Sequence, residues 1–202
     1  MGENTQANTS SASLMRPVLV SAVLFMLVCG LAYPLATTGV AQLIFPYQAN
    51  GSLIENNGEV VGSELIAQQF TEPRYFHPRP SATEPPYNAA SSAATNFGPT
   101  NQALIDQVEK RVEKYREAND LPADAPVPVD AVTASGSGFD PHISVANAEV
   151  QIPRVAQARN LPESAVRRLV EENTDGRLFG FIGEPGVNVL ELNLALDRLE
   201  GE

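Results

Sequence analysis

The chain has 202 residues, of which 24 are acidic and 13 are basic, and its net charge is −11. This charge argues against binding nucleic acid or anionic lipid, because carboxylates repel phosphates and the sequence contains no basic patch. The only cysteine, Cys29, excludes an intrachain disulfide and a thiolate zinc site, and the two histidines, His77 and His142, could at most begin a metal site. We therefore expect no metal and no cofactor.

The first predicted element is a membrane-spanning helix. Residues 18–36 contain Ser21 as the only strongly polar side chain, and no charge occurs between Arg16 and Glu55. Nineteen helical residues span roughly 28 Å, which is close to the hydrocarbon thickness of a bilayer. We predict a cytoplasmic tail at 1–16, a transmembrane helix at 17–38 and an extracytoplasmic domain at 39–202.

The orientation follows from the distribution of basic residues. Arg16 precedes the helix, and the next basic residue is Arg74. Because Lys and Arg near a membrane helix favour the cytoplasmic side, we expect a single-pass protein of the bacterial inner membrane with its N-terminus inside.

A signal peptide is the competing interpretation of this segment. Arg16 would then be its basic region, and a weak small-residue cleavage site lies at 39–41. The length of the apolar run favours a retained anchor. Val28 before Cys29, in the middle of the segment, argues against a lipid anchor.

Two different segments follow the anchor. Residues 41–46 are expected to leave the membrane, and Asn56, Asn57 and Gly58 predict the turn of a β-hairpin. Residues 70–99 are rich in proline, which excludes a regular helix there, and their aromatic side chains indicate a coil packed against the domain.

The rest of the chain predicts mainly helices, and hence a single loop-rich α+β domain. Apolar residues recur at helical spacing over 101–119, after Thr100 as the capping residue. Ser144 is expected to cap a helix that runs to 159 and is kinked or interrupted at Pro153. A further helix is predicted at 163–173, a strand at 187–191 and a short helix at 193–199.

The Ser/Gly-rich loop at 132–144 has two interpretations. On the first, Ser137, Asp140 and His142 form a catalytic triad, although the loop matches neither a P-loop nor the G-x-S-x-G motif. On the second, the loop is a tight turn that packs Phe139 and caps the next helix.

Arginines and aromatic residues form a second cluster at 74–81. It could grip a carboxylate or a partner surface, or it could place Tyr75 and Phe76 in the core. Across both clusters we expect no catalytic residue, and the candidates for partner contact are Arg74, Tyr75, Phe76, Arg79, Ser135, Ser137, Asp140 and His142.

A specific string, Thr-Ala-Ser-Gly-Ser-Gly-Phe-Asp-Pro-His-Ile-Ser, occupies 133–144. Shorter segments lie at 48–52, 75–76, 79–82, 98–101, 154–156, 183–185, 187–190 and 192–197. Taken together in chain order, the string and these segments resemble the C-subunit family of the Kdp potassium-transporting P-type ATPase. The resemblance covers nearly the whole chain after Met15.

The resemblance implies an accessory subunit of a high-affinity potassium uptake complex. Its partners would be a channel-like potassium-binding subunit, a P-type ATPase catalytic subunit and a small single-helix subunit, in addition to the lipid bilayer. Its outer domain would stabilise the assembly and cover the external potassium entrance. The family description also includes ATP binding, which the external topology and the missing P-loop do not support.

One segment departs from the family pattern. A Ser-Gly-Gly-Ser-Asn run is usual there, whereas residues 91–96 read Ser-Ser-Ala-Ala-Thr-Asn, and Phe97 replaces a leucine. Without these glycines we expect ordinary backbone angles in this loop. The alternative functions are a membrane-anchored extracytoplasmic hydrolase and a solute-binding module.

Overall fold

The computed structural model describes residues 11–56 and 58–200, and the chain divides into two compact units, Met1–Ser52 and Leu53–Glu202. Most of the predicted tail at 1–16, and Asn57 of the predicted hairpin turn, lie outside the described residues.

The first unit is helical. Helix α1 (Ser11–Leu27) continues through a π-helical segment (Val28–Ala32) into α2 (Tyr33–Ile44), and a short α3 (Pro46–Ala49) follows. Together they contain one candidate membrane span, Leu14–Ile44, with 31 residues. At 1.5 Å per residue it is about 46 Å long, which exceeds a hydrocarbon core of about 30 Å, so a bilayer would accommodate it by tilting or by leaving its ends in the interface. The helix continues through residues 41–44, beyond the predicted transmembrane boundary at 38.

The π-helical segment accommodates a proline in the middle of the span. Pro34 lacks an N–H, and in a regular α-helix its ring would press on the carbonyl of Gly30. The Tyr33 N–H instead donates to the carbonyl of Val28, five residues back, which widens the turn before Pro34. The hydroxyl of Thr37 donates to the Tyr33 carbonyl at 2.9 Å, so this polar group needs no partner in lipid.

The second unit has the predicted α+β composition. Its elements are β1 (Leu53–Asn56), β2 (Glu59–Ser63), α4 (Gln102–Ala118), α5 (Val129–Val132), β3 (His142–Ser144), α6 (Val145–Arg159), α7 (Glu163–Glu172), β4 (Thr174–Asp175), β5 (Gly186–Asn188) and α8 (Val189–Glu200). Strands β1 and β2 form the predicted antiparallel hairpin. The segment between β2 and α4 contains no helix or strand among its described residues, as its prolines predict.

A small sheet and three helices enclose the core. The sheet has the order β3-β5-β4, and both pairs are antiparallel. Helices α6, α7 and α8 bury their apolar faces beside it. Large buried apolar side chains from these elements and the coil include Phe76, Ile143, Ile152, Leu169, Leu192 and Leu196.

Several local predictions are corrected by the structure. Asn101, rather than Thr100, caps α4 by accepting a hydrogen bond from the Ala103 N–H. Ser144 caps α6 as predicted, but this helix continues through Pro153, because residues on both sides of the proline are anchored in the core. Asn96 has a φ of +53°, so the 91–97 loop does leave the ordinary backbone regions.

The C-terminal boundary also differs. The predicted strand at 187–191 ends at Asn188, and α8 begins immediately at Val189. The Asn188 side chain explains the sharp change, because its Oδ1 accepts hydrogen bonds from the N–H groups of Leu190 and Glu191 in the first turn.

Candidate functional site

Two side-chain amides hold the backbone of the aromatic coil. The Phe76 N–H donates to Asn193 Oδ1 at 2.8 Å, and Asn193 Nδ2 donates to the Phe76 carbonyl at 3.0 Å. The His77 N–H donates to Gln151 Oε1 at 2.8 Å, and Gln151 Nε2 donates to the His77 carbonyl at 3.2 Å. We call Gln151 and Asn193 the amide clamp, since each of them satisfies both backbone groups of one coil residue.

Two arginines extend this hold toward the start of the coil. Arg154 Nη1 donates to the Tyr75 carbonyl at 2.9 Å, and Arg159 Nε donates to the Arg74 carbonyl at 2.7 Å. Arg159 also pairs with Asp197 at 2.8 Å. Burial lowers the pKa of Arg154 to about 10, which leaves it charged at neutral pH.

Charge and burial determine the protonation states of Tyr75 and His77. The Tyr75 hydroxyl donates to Asp197 at 3.1 Å, and burial, followed by this bond, raises its pKa. Burial, and secondarily the Arg154 guanidinium, lowers the pKa of His77 to about 4. His77 is therefore neutral near pH 7, and its Nε2–H donates to the Glu72 carbonyl.

The Ser/Gly loop packs against the coil. Ser135 Oγ accepts from the Gly138 N–H at 2.7 Å, and the Gly138 carbonyl accepts from Ser81 Oγ at 2.6 Å. Gly138 has a φ of +83°, and a Cβ there would lie 2.5 Å from Thr83 Cγ2. The loop therefore uses its hydroxyls and N–H groups within the chain, in agreement with the tight-turn interpretation.

The predicted triad is not assembled. Ser137 Oγ accepts from the Phe139 N–H, whereas His142 Nε2 lies 2.9 Å from the carboxylate of Asp175. Asp140 accepts from the backbone of His142 and from Arg79. Because each of these groups has another partner, the described arrangement contains no activated serine at this position.

Four charged or titratable side chains instead form a row on the surface. Arg79 pairs with Asp140 at 2.9 Å, Asp140 lies 3.9 Å from the His142 ring, and His142 pairs with Asp175 at 2.9 Å. We call these four residues the charge row. Strand pairing builds it, since β3 carries His142 next to β5, and β5 in turn pairs with Asp175 of β4.

An acidic cavity of about 210 Å³ opens beside the charge row. His142 and Asp175 line it together with Glu64, Asn188 and Glu191. Burial raises the pKa of Glu191, the carboxylates of Glu64 and Asp175 raise it further, and His142 opposes them. The cavity thus concentrates negative charge, although no three His, Cys, Asp or Glu side chains among the described residues are arranged to hold a metal ion.

A second cavity, of about 250 Å³, has the opposite character. It lies beside His77 and is lined by Arg111 and Lys114 of α4, among other residues. Arg111 already has a hydrogen-bond partner within the chain, because its Nη1 donates to the Val132 carbonyl at 3.1 Å. This contact makes Arg111 a support for α5.

Seven of the candidate residues from the sequence fall into three groups. Phe76 is 0% exposed and Ser135 is 2% exposed, so both are internal supports rather than exposed side chains. The structure brings Arg79, Asp140 and His142 together in the charge row. Arg74 and Tyr75 lie with Arg159 at the other end of the coil, and both arginines face the Tyr75 ring.

Sequence reasoning missed the residues that position this site. They are Gln151, Arg154, Asn193, Asp197 and Asp175. A signal was present for two of them, because Asn193 interrupts an apolar run and Gln151 adjoins Ile152 on the buried face of α6. Polar residues at core-facing positions indicate a buried hydrogen-bond network.

Comparison with known proteins adds an independent result. A family model described as K+-transporting ATPase, c chain, matches residues 15–198. A protein of Mycobacterium tuberculosis (strain ATCC 25618 / H37Rv) named potassium-transporting ATPase KdpC subunit is 58% identical over 183 residues, which cover 91% of this chain and 97% of that protein. Proteins of the same name from Sorangium cellulosum and Bradyrhizobium diazoefficiens are 57% and 52% identical, each over 91% of this chain and 96% of its own length.

Proposed function

Because the chain belongs to the KdpC family of K+-transporting ATPase subunits, and is thus a component of a potassium-transport complex, we propose that it acts as a non-catalytic subunit. In this role its outer domain stabilises the assembly and covers the external potassium entrance. The proposed partners are a channel-like potassium-binding subunit, a P-type ATPase catalytic subunit and a small single-helix subunit.

This proposal rests on the observation that the candidate catalytic groups already have hydrogen-bond partners within the chain. Ser137 and His142 are bound to other partners within the chain, so the Ser/Gly loop serves as packing for the coil. Among the described residues, neither of the two charged cavities is lined by a serine, threonine or cysteine that could act as a nucleophile. The domain therefore offers surfaces rather than a reaction centre.

The proposed topology places the N-terminus in the cytoplasm and the second unit outside the bacterial inner membrane. Support comes from Arg16 before the span and from the 31-residue length of Leu14–Ile44. In a Cys29→Ser background, Ala90→Cys offers an exposed site for labelling. A membrane-impermeant maleimide should label it in intact spheroplasts; labelling only after lysis would reverse the topology.

We assign the contact with partner subunits to the exposed side of the charge row and to Arg74. The side chains of Arg79, Asp140 and His142 are 25%, 30% and 36% exposed, which leaves polar atoms available to a partner. Charged groups at an interface act mainly on specificity and on the rate of association.

A purification experiment tests the function. The full chain is expressed with its proposed partners, carries a C-terminal tag and is isolated in mild detergent, and potassium-stimulated ATPase activity is assayed on the eluate. We expect co-purification of a P-type ATPase and a channel-like subunit, and loss of activity when this chain is omitted. Elution of the chain alone, or as a cleaved domain, would rule out the proposed role.

A further inference from the structure

An exposed apolar hairpin projects between β4 and β5. We call residues 177–184 the apolar tip, because its Leu178, Phe179, Phe181 and Ile182 are 60%, 80%, 74% and 48% exposed. These four large side chains lie within five consecutive positions. A cluster of this kind on a soluble domain marks a site of interaction with another molecule.

The apolar tip is an ordered structure. Leu178 and Ile182 form an isolated β-bridge, in which each N–H donates to the carbonyl of the other at 2.9 Å and 3.0 Å. An ion pair between Arg177 and Glu184, at 2.6 Å, closes the base of the hairpin. Such preorganisation lowers the entropic cost of docking.

The backbone conformation of this turn is unfavourable for Phe179. Phe179 and Gly180 both have positive φ angles, of +53° and +81°. A turn with two such residues favours Asn-Gly, whereas a bulky side chain in the left-handed region is strained. Phe179 is also the most exposed of the four apolar side chains of the tip. Neither a favourable backbone conformation nor burial within this chain therefore explains a phenylalanine at this position.

The charge on and around the apolar tip limits which molecules can bind it. The segment 178–183 is uncharged, and the two flanking charges pair with each other. Arg16 and Glu3 cancel in the first unit, so the entire net charge of −11 lies on the unit that carries the tip. That unit repels anionic lipid headgroups, and it repels a second copy of itself.

We propose that the apolar tip inserts into an apolar depression on the extracytoplasmic face of another subunit of the same potassium-transport complex. This inference rests on the proposed function, which supplies the partner, and adds the surface by which the two are joined. Phe179 and Phe181 are the anchors, because aromatic residues buried at the centre of an interface contribute most to binding.

Photo-crosslinking in the whole complex tests the occupant. Benzoylphenylalanine replaces Phe179, which it resembles in shape, and in a separate control it replaces Val129, which is 73% exposed and lies outside the tip. We expect an adduct from position 179 with another subunit of the complex and at least tenfold less from position 129. Adducts only with lipid, or only with a second copy, would assign the tip to the bilayer or to a dimer and overturn the inference.

The same preparation separates the two proposals. If the complex co-purifies but position 179 gives no adduct, the tip does not dock and the proposed function stands. If the unsubstituted chain does not co-purify with any partner, the proposed function itself fails.

A pair of substitutions measures the strength of the contact. We expect F179S/F181S to reduce the partner subunits retained after extended washing by about tenfold, while V60S/V129S, which also removes two exposed apolar side chains, leaves retention unchanged. The thermal unfolding temperature of the F179S/F181S chain should match the unsubstituted chain, because these side chains are not buried. Equal retention of partners by the two double variants would overturn the inference.

Discussion

At the scale of single residues, side-chain amides replace the neighbouring strand that the coil lacks. Asn193 and Gln151 each offer one donor and one acceptor to a backbone that would otherwise be buried without partners. An unpaired buried N–H or carbonyl costs about 1–3 kcal/mol. The amide clamp is therefore the reason that a proline-rich segment can enter the core.

We expect Asn193→Ala to lower the free energy of unfolding by about 2–4 kcal/mol, because both backbone groups of Phe76 lose their partners. Urea unfolding of the full chain in mild detergent, followed by circular dichroism, measures this change. Gln157→Ala is the control, since Gln157 is an exposed amide on α6. Equal losses in the two variants would show that the clamp has no special role.

His77 makes stability depend on pH. Its pKa is about 4 in the folded chain and about 6.5 in the unfolded chain, so the unfolded state takes up the proton first. The contribution of this group is complete above about pH 6.5, decreases as the pH falls toward 4, and amounts to at most about 3 kcal/mol.

Comparison with His77→Gln isolates this effect, because carboxylates titrate similarly in both chains. The unfolding temperature is measured at pH 7 and pH 4.5 for each. We expect the decrease between these pH values to be smaller in the variant. A decrease of the same size in both chains would mean that His77 does not take up a proton on unfolding.

At the scale of elements, the coil and the Ser/Gly loop form one packed layer. Thr83 and Ala93 approach the backbone of Gly138 so closely that a Cβ there would meet both of them. The Ala93 N–H donates to the Ser137 carbonyl at 3.2 Å, and the Ser135 N–H donates to the Pro80 carbonyl at the same distance. The loop is thus the partner on which the second half of the coil rests.

Gly138→Ala should destabilise the chain by about 2–4 kcal/mol, through the positive φ and the contact with Thr83 and Ala93. Gly136→Ala provides a matched control two residues away, because its Cβ would meet nothing within 4 Å. Thermal unfolding of both variants compares them. Similar unfolding temperatures for the two would contradict the close packing at Gly138.

Sequence reasoning located most elements but not the path of the coil. Helices α4, α6 and α7 show local periodicity, which is visible within a few turns of chain. The contact between Phe76 and Asn193 joins residues 117 positions apart, and no local pattern encodes such a pairing. The charge row was missed as a unit for the same reason, because the pairing of β4 with β5 brings Asp175 to His142.

At the scale of the whole molecule, the acidic charge acts at a distance. The second unit carries the net charge of −11, and the acidic cavity gathers Glu64, Asp175 and Glu191 at one place. If the outer domain covers the potassium entrance, as proposed, this negative field raises the local concentration of cations there. Salt screens this effect within about 10 Å at 0.1 M.

Neutralising these three residues, as E64Q/D175N/E191Q, should weaken the apparent potassium affinity of the complex about two- to fivefold at low ionic strength. The difference should disappear when the ionic strength is raised with a sodium salt. The control E113Q/E117Q/D124N removes the same charge from exposed positions elsewhere. An unchanged affinity in the first variant at low salt would exclude cation steering by the cavity.

The amide clamp also has a consequence for how such a sequence can diverge. It grips peptide groups, which every residue type shares, so the path at His77 does not depend on the imidazole itself. Substitutions at the half-buried His77 can therefore change the chemistry that the coil presents while its route is preserved. Gln151 and Asn193 have no such freedom, and we expect substitutions in this family to be more frequent at His77 than at these two amides.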